Sequence, residues 1–225
     1  TYVPVAVCLP LSRGYTAYGG WAWASDEFKY TKSDLMSDAV FFSLVPGFER
    51  AKAMKKGVET CLHNSKFAQM YDVVCPDVPS QSEDTVLEVL KSYRAVIVAG
   101  EFDDPKAERC IRKYEKSGGR GGGRVIRLPV ETFPKLSSAL PGKLKSGKVS
   151  FPEVEKLLAG LEADYFPFKV EGDCLYGANR TEKGWWLWVF NNRGVTKFTD
   201  LPHTVDHAFD VDVRVCGSKC RMRTV

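Results

Sequence analysis

The sequence predicts an α/β protein, with a parallel sheet carrying helices on both faces, followed by a small antiparallel β-sandwich. Three observations carry that expectation. Strand-like and helix-like segments alternate four times with short links between residues 3 and 129, the pattern of parallel strands joined by helical crossovers. After Phe168 the chain changes to short β-rich runs set apart by turn signals. Within that part, Gly184-Trp-Trp-Leu-Trp-Val-Phe-Asn-Asn-Arg-Gly194 is strand material closed by hairpin-turn residues from Asn191 onward. Aromatics that wide need a second layer to cover them.

Each element has its own signal. Val3-Pro-Val-Ala-Val-Cys-Leu9 is a continuous apolar run of the kind found in buried parallel strands. It opens at Pro10 into a loop rich in glycine and aromatics that reaches Trp23. Helical spacing runs from Ser33 to Leu44 and again from Glu49 to His63. Met70 to Val74 is the second strand, stopped by Cys75-Pro76. Ser82 caps a helix to Lys91, and Tyr93 to Gly100 is a buried strand ended by glycine. Asp104-Pro105 starts a helix to about Lys116, because aspartate caps and proline suits the first turn. Gly123 to Pro129 is the fourth strand. Right-handed crossovers then make the layout flavodoxin-like.

Residues 132–150, rich in Pro, Gly, Ser and Lys, read as a linker or irregular loop, and Phe151-Pro152 opens an amphipathic helix to about Leu161. Short strands are predicted over Lys169 to Gly172, Cys174 to Asn179, Trp185 to Phe190, Val195 to Phe198 and Phe209 to Val215. The expected division is therefore an α/β domain over 1–135, a linker and helix over 136–165, a β-sandwich over 166–216 and a tail over 217–225.

Composition narrows the function classes. A chain of 225 residues can bury one large core or two modest ones, and 44% hydrophobic with 27% charged residues is ordinary for a soluble globular protein. The net charge of +4 is mild and only Arg120, Arg124 and Arg127 cluster, which argues against nucleic acid as a partner. No apolar stretch approaches the ~20 residues of a membrane span, and no signal peptide is read at the start. Thr1 is no natural initiator, so the numbering is expected to begin after processing or inside a longer polypeptide.

Seven cysteines are too few for a disulfide-built miniprotein, and their odd number leaves at least one unpaired within the chain. Cys216 and Cys220 are the disulfide candidates, since they could close a tight loop; the same spacing resembles half of a metal site, and free thiols stay open. His203 and His207 lie four apart, but Pro202 and their surroundings do not read as a helix, so no metal site is expected. Asn179-Arg180-Thr181 is a glycosylation sequon at a predicted strand end. With the cysteines it points to a secreted or extracellular protein.

The strand and glycine of Tyr93 to Gly100, the helix exit Tyr114-Glu-Lys-Ser-Gly-Gly119 and the following Arg-Val-Ile strand resemble a glutamine-amidotransferase-like domain. Gly184-Trp-Trp-Leu-Trp-Val-Phe-Asn-Asn192 resembles the closing β-domain that often follows it in large glycoside hydrolases related to β-galactosidases. The resemblance spans nearly the whole chain. It implies a non-catalytic domain that helps assembly, with the active site in an upstream barrel.

The departures from that family's catalytic members decide the activity expected here. A class I amidotransferase exposes a cysteine in a glycine-flanked turn, served by a His and Glu pair. After the fourth strand this chain has Leu128-Pro129-Val130-Glu131; Cys75 is followed by Pro76, and Cys8 lies inside an apolar strand. His63 falls on a helix with no acidic neighbour two or three places on. The glycines from Gly118 to Gly123 follow a helix and precede a strand, the reverse of a phosphate-binding loop, and read as a surface turn. Asp104 reads as a helix cap, and Glu101 with Asp103 could make an acid–base pair, but the neighbouring sequence offers no motif to complete a site. No catalytic residue and no cofactor are expected.

Ligand or interface candidates are aromatic. Tyr15, Tyr18, Trp21 and Trp23 stand after the first strand, at the ligand-binding edge of such a sheet; they suit either sugar stacking or packing against a neighbouring domain. By strand alternation Trp186 and Trp188 share one face and Trp185 takes the other. The expected function is a non-catalytic, assembly-supporting C-terminal region of a secreted glycoside-hydrolase-like protein, with an upstream domain or other subunits as partners. The alternative is a free-standing extracellular module that is structural or binds carbohydrate.

Overall fold

The structure is a computed structural model that describes residues 1–11, 70–117, 123–128, 151–171, 174–191 and 211–215. The helices predicted over 33–44 and 49–63, the strand over 195–198, the 132–150 loop and the 217–225 tail lie outside these residues. The chain divides into two compact units, one of Val3–Ser43 and Tyr71–Phe151, the other of Thr1–Tyr2, Leu44–Met70 and Pro152–Val225.

The first unit holds a parallel sheet of β1 (Val5–Cys8), β2 (Tyr71–Val74), β3 (Ala95–Val98) and β4 (Arg124–Arg127), in the order β2-β1-β3-β4. Register aligns Cys8 with Val74 on one side and with Val98 on the other, and Val98 with Arg127. The central strands β1 and β3 are buried along their full length, which is why both read as unbroken apolar runs. The edge strands carry the charge: Asp72 is exposed on β2, and Arg124 and Arg127 on β4. Charged side chains on an edge discourage pairing with another chain.

Two helices, α1 (Glu83–Lys91) and α2 (Pro105–Ser117), cover one face of this sheet. The Ser82 hydroxyl accepts from the Thr85 amide at 3.2 Å and caps α1, whose first turn holds Glu83 and Asp84. Asp104 caps α2 by accepting from the Lys106 amide at 2.8 Å, with Pro105 in the first turn. Buried Val86 and Leu90 of α1, and Ala107, Cys110, Ile111 and Tyr114 of α2, follow helical spacing. Of these, Val86, Leu90, Cys110, Ile111 and Tyr114 form one core with Ala6, Cys8, Val96 and Val98, the alternate residues of β1 and β3. Tyr114 is fully buried, and its hydroxyl donates to the Tyr93 carbonyl at 3.2 Å, so the ring adds packing without an orphaned polar group. The opposite parity, Val5, Val7, Ala95 and Ile97, is also closed to solvent.

The second unit holds α3 (Pro152–Tyr165), β5 (Phe168–Glu171), β6 (Cys174–Thr181), β7 (Gly184–Asn191) and β8 (Asp212–Val215). Val154, Leu158 and Leu161 form the buried stripe of α3. β5 and β8 pair antiparallel, with Phe168 and Val170 turned inward and Lys169 and Glu171 turned outward in a 2.6 Å ion pair. β6 and β7 form a hairpin in which Thr181 faces Gly184 across a turn of Glu182 and Lys183. Gly184 has φ +143°, a conformation that side chains rarely adopt, and its carbonyl accepts from the Thr181 hydroxyl at 3.1 Å. Among the described residues the β part is thus two separate two-stranded antiparallel sheets.

Candidate functional site

Open parallel sheets bind ligands at the carboxyl ends of their strands, in the crevice where the strand order reverses. Here that point lies between β1 and β3, with β2 beside β1. The side chains gathered there hold the backbone. Asp77, only 6% exposed, accepts the Leu11 amide through both carboxylate oxygens at 2.9 Å, tying the loop after β2 to the one after β1. Lys106 donates to the carbonyls of Val78 at 2.6 Å and Gln81 at 3.1 Å, fastening that turn to α2. Arg127 reaches Glu108 at 2.9 Å, and Glu108 also holds Arg112 at 3.0 Å. Glu101 and Asp103 are exposed on the loop after β3.

Among the described residues, Cys8, Cys75 and Cys110 are kept as protonated thiols. Burial raises the Cys8 thiol far above its ordinary value; the nearby Cys75, and to a lesser extent Asp77, add to the effect, while Arg127 opposes it. Burial raises Cys75 as well, helped by the Asp77 charge, and raises Cys110, helped by Glu83. All three are free cysteines. A nucleophilic cysteine needs the opposite environment, electropositive and partly open, because the thiolate does the chemistry. Among the described residues no group of His, Cys, Asp and Glu is arranged to hold a metal ion, and no helix is long and apolar enough to cross a membrane.

The hairpin of the second unit presents two unlike faces. One carries Tyr176, Ala178, Arg180, Trp185, Leu187 and Val189. Tyr176 and Ala178 are buried there, and the Tyr176 hydroxyl donates to Glu162 of α3 at 2.8 Å. Trp185 stands edge-on to Tyr2 at 4.9 Å and to Phe168 at 6.3 Å, with the Arg180 guanidinium 5.9 Å from its ring. Tyr2 is fixed beside it by two hydrogen bonds: its backbone N–H donates to the Ala178 carbonyl at 2.6 Å and its hydroxyl to the Tyr165 carbonyl at 3.0 Å.

The other face carries Gly177, Asn179, Thr181, Trp186 and Trp188. Trp186 is 60% exposed, the most open of the large apolar side chains among the described residues. Trp188 is half-buried and lies across Gly177, where an added Cβ would come within 2.6 Å of its Cε2. Asn179 pairs with Trp186 across the strands; its side-chain oxygen is buried without a hydrogen-bond partner. The chain matches no known protein family, no curated protein and no solved structure.

Of the aromatic candidates, the structure therefore brings Trp186 and Trp188 together on one outward face of the hairpin. Tyr15, Tyr18, Trp21 and Trp23, and the Cys216–Cys220 pair, lie outside the described residues. Sequence reasoning missed Asp77 and Gly177. The turn composition of Pro76-Asp77 marks a loop but carries no sign that the carboxylate is buried, and the cover over Gly177 depends on strand register.

Proposed function

We propose that this chain is a non-catalytic, assembly-supporting region of a secreted glycoside-hydrolase-like protein, built from a flavodoxin-like α/β part and a β-sandwich part. The observation that carries the non-catalytic reading is the condition of the strand ends. The carboxylate of Asp77 is taken up by a backbone amide, Lys106 by two carbonyls, and Cys8 and Cys75 are held as neutral thiols. The strand order β2-β1-β3-β4 supports the flavodoxin-like layout, and the presence of two antiparallel sheets is compatible with a sandwich. Assembly rests on the resemblance in the sequence to the domain that supports assembly in large glycoside hydrolases.

The test has two parts. The chain is assayed for glutaminase and thioester hydrolysis, and the native protein is isolated and its neighbours identified by cross-linking. The reading expects no turnover and a contact to a barrel domain in the same polypeptide or particle. Turnover lost in Cys75→Ser would overturn it. The exposure of Trp186 also favours a second reading, an extracellular module whose indole stacks on sugars in solution. That reading expects binding to an oligosaccharide panel that disappears in Trp186→Ala, and fails if the panel gives no binding at all.

A further inference from the structure

We propose that Asn179 carries an N-linked glycan whose first sugar packs on the indole of Trp186. The inference rests on the secreted reading above and adds a modification site and a role for an exposed tryptophan. The sequon Asn179-Arg180-Thr181 occupies the last residues of β6, beside the hairpin turn. Parity decides whether such a strand position can bear a sugar. Ala178, one residue earlier, faces the buried side with Tyr176, whereas Asn179 shares the outward face with Trp186.

Side-chain geometry agrees with that placement. Asn179 is half-buried with its oxygen enclosed and unpartnered. The open part of the residue is therefore not the oxygen, which suits an amide whose nitrogen is the end to be substituted. Directly opposite stands Trp186, 60% exposed. Cross-strand partners lie roughly 5 Å apart at Cβ, a spacing that lets a sugar on Asn179 lay its C–H face over the neighbouring indole. A glycan there would cover apolar surface that otherwise stays in water.

In the transfer step the Asn179 nitrogen forms a bond to C1 of the first sugar of a polyprenyl-diphosphate-linked oligosaccharide. The C1–O bond to the diphosphate breaks, the diphosphate leaves with the electron pair, and the amide proton passes to a base of the transferase. In the folded hairpin the Thr181 hydroxyl is engaged with the Gly184 carbonyl at 3.1 Å. Transfer therefore precedes closure of the hairpin, while that hydroxyl is available.

The full chain is expressed behind a cleavable secretion signal in a eukaryotic host, and the secreted protein is examined by intact mass and by enzymatic glycan release. A glycan mass located at Asn179 is expected, lost in Asn179→Gln and Thr181→Ala and retained in part in Thr181→Ser. Removing the glycan is expected to lower Tm and raise acrylamide quenching of tryptophan emission in the parent protein, with the Tm effect absent in Trp186→Ala. Secreted protein with bare Asn179 overturns the site, and a glycan whose removal changes neither Tm nor quenching overturns the stacking. Because the host supplies the secretory route, these failures are distinct from a failure of the secreted reading. That reading fails if the recombinant protein is modified while protein from the natural source is found inside the cell without glycan.

Discussion

Trp188 lies over Gly177, its direct partner on the neighbouring strand, and fills the space where any other residue would place its Cβ. Glycine weakens a strand because it packs nothing and loses much freedom on folding. Here the indole restores the missing cover: Gly177 is buried although it has no side chain.

Replacing Gly177 with alanine should force that indole off the strand. The expected loss of stability is about 1–3 kcal/mol, the usual cost of overpacking. Urea unfolding would measure it, and a shift in tryptophan emission would report the displaced ring. Unchanged stability and emission would mean that Trp188 does not rest on Gly177 in solution.

Asp77→Ala removes the carboxylate that both oxygens of the buried side chain present to the Leu11 amide. The amide is left without its partner, at a cost of about 1–3 kcal/mol. Exchange of the Leu11 amide with deuterium should quicken more than exchange in α3, because the loss is local to the strand ends.

Thiol reactivity should divide the described cysteines by burial. Cys75, half-buried, is expected to react slowly with a disulfide reagent in the native protein, whereas Cys8 and Cys110 react only on unfolding. Rapid native labelling of Cys8 would contradict its burial within β1 and reopen thiol chemistry.

Alkaline pH should destabilise the α/β unit. Cys8 has its thiol raised by burial from an ordinary 9.0, and Tyr71 is pushed up from 10.0 to about 12 for the same reason. Each group releases its proton earlier in the unfolded chain than in the folded one, so stability falls as pH rises. The Cys8 contribution is whole below about pH 9 and erodes above it; the Tyr71 contribution erodes between 10 and about 12. Melting followed from pH 7 upward should show Tm starting to fall near pH 9.

Glu83 behaves in the opposite sense. Hydrogen bonds from Lys113 and Arg109, each with a 2.7 Å contact, hold its carboxyl below the ordinary 4.5. Its small contribution is present above about 4.5 and is lost as pH falls through the depressed folded value. Glu83→Gln should flatten this acid limb slightly, and high salt should erase the difference between the two proteins, since the pairs are solvent-exposed.

Much of this architecture was legible because local signals and tertiary structure agree. Val5–Cys8 and Ala95–Val98 read as buried parallel strands from apolar runs alone, and they are the two central strands. Ser82 and Asp104 were legible as caps, since a short polar side chain before a helical pattern has few other uses. The separation of Trp185 from Trp186 and Trp188 followed from the two-residue period of a strand. The two strands of the hairpin were legible as separate β-rich runs, and β6 and β7 are joined between them at Glu182 and Lys183; the turn read from Asn191 to Gly194 runs outside the described residues. A two-residue turn of charged residues is set by strand pairing and by the open backbone of Gly184 more than by its own composition.

Among the described residues the sequence by itself determined the element types, the parallel character of the first sheet and the opposite faces of Trp185 and of Trp186 with Trp188, because these depend on periodicity and on neighbours close in the chain. Tertiary structure alone decided that β5 pairs with β8 rather than with the adjoining hairpin, that Asp77 is buried on the Leu11 amide, and that Trp188 covers Gly177. Each of those outcomes joins residues far apart in the chain or depends on register, and only the packed chain sets which distant partners come within a few ångströms.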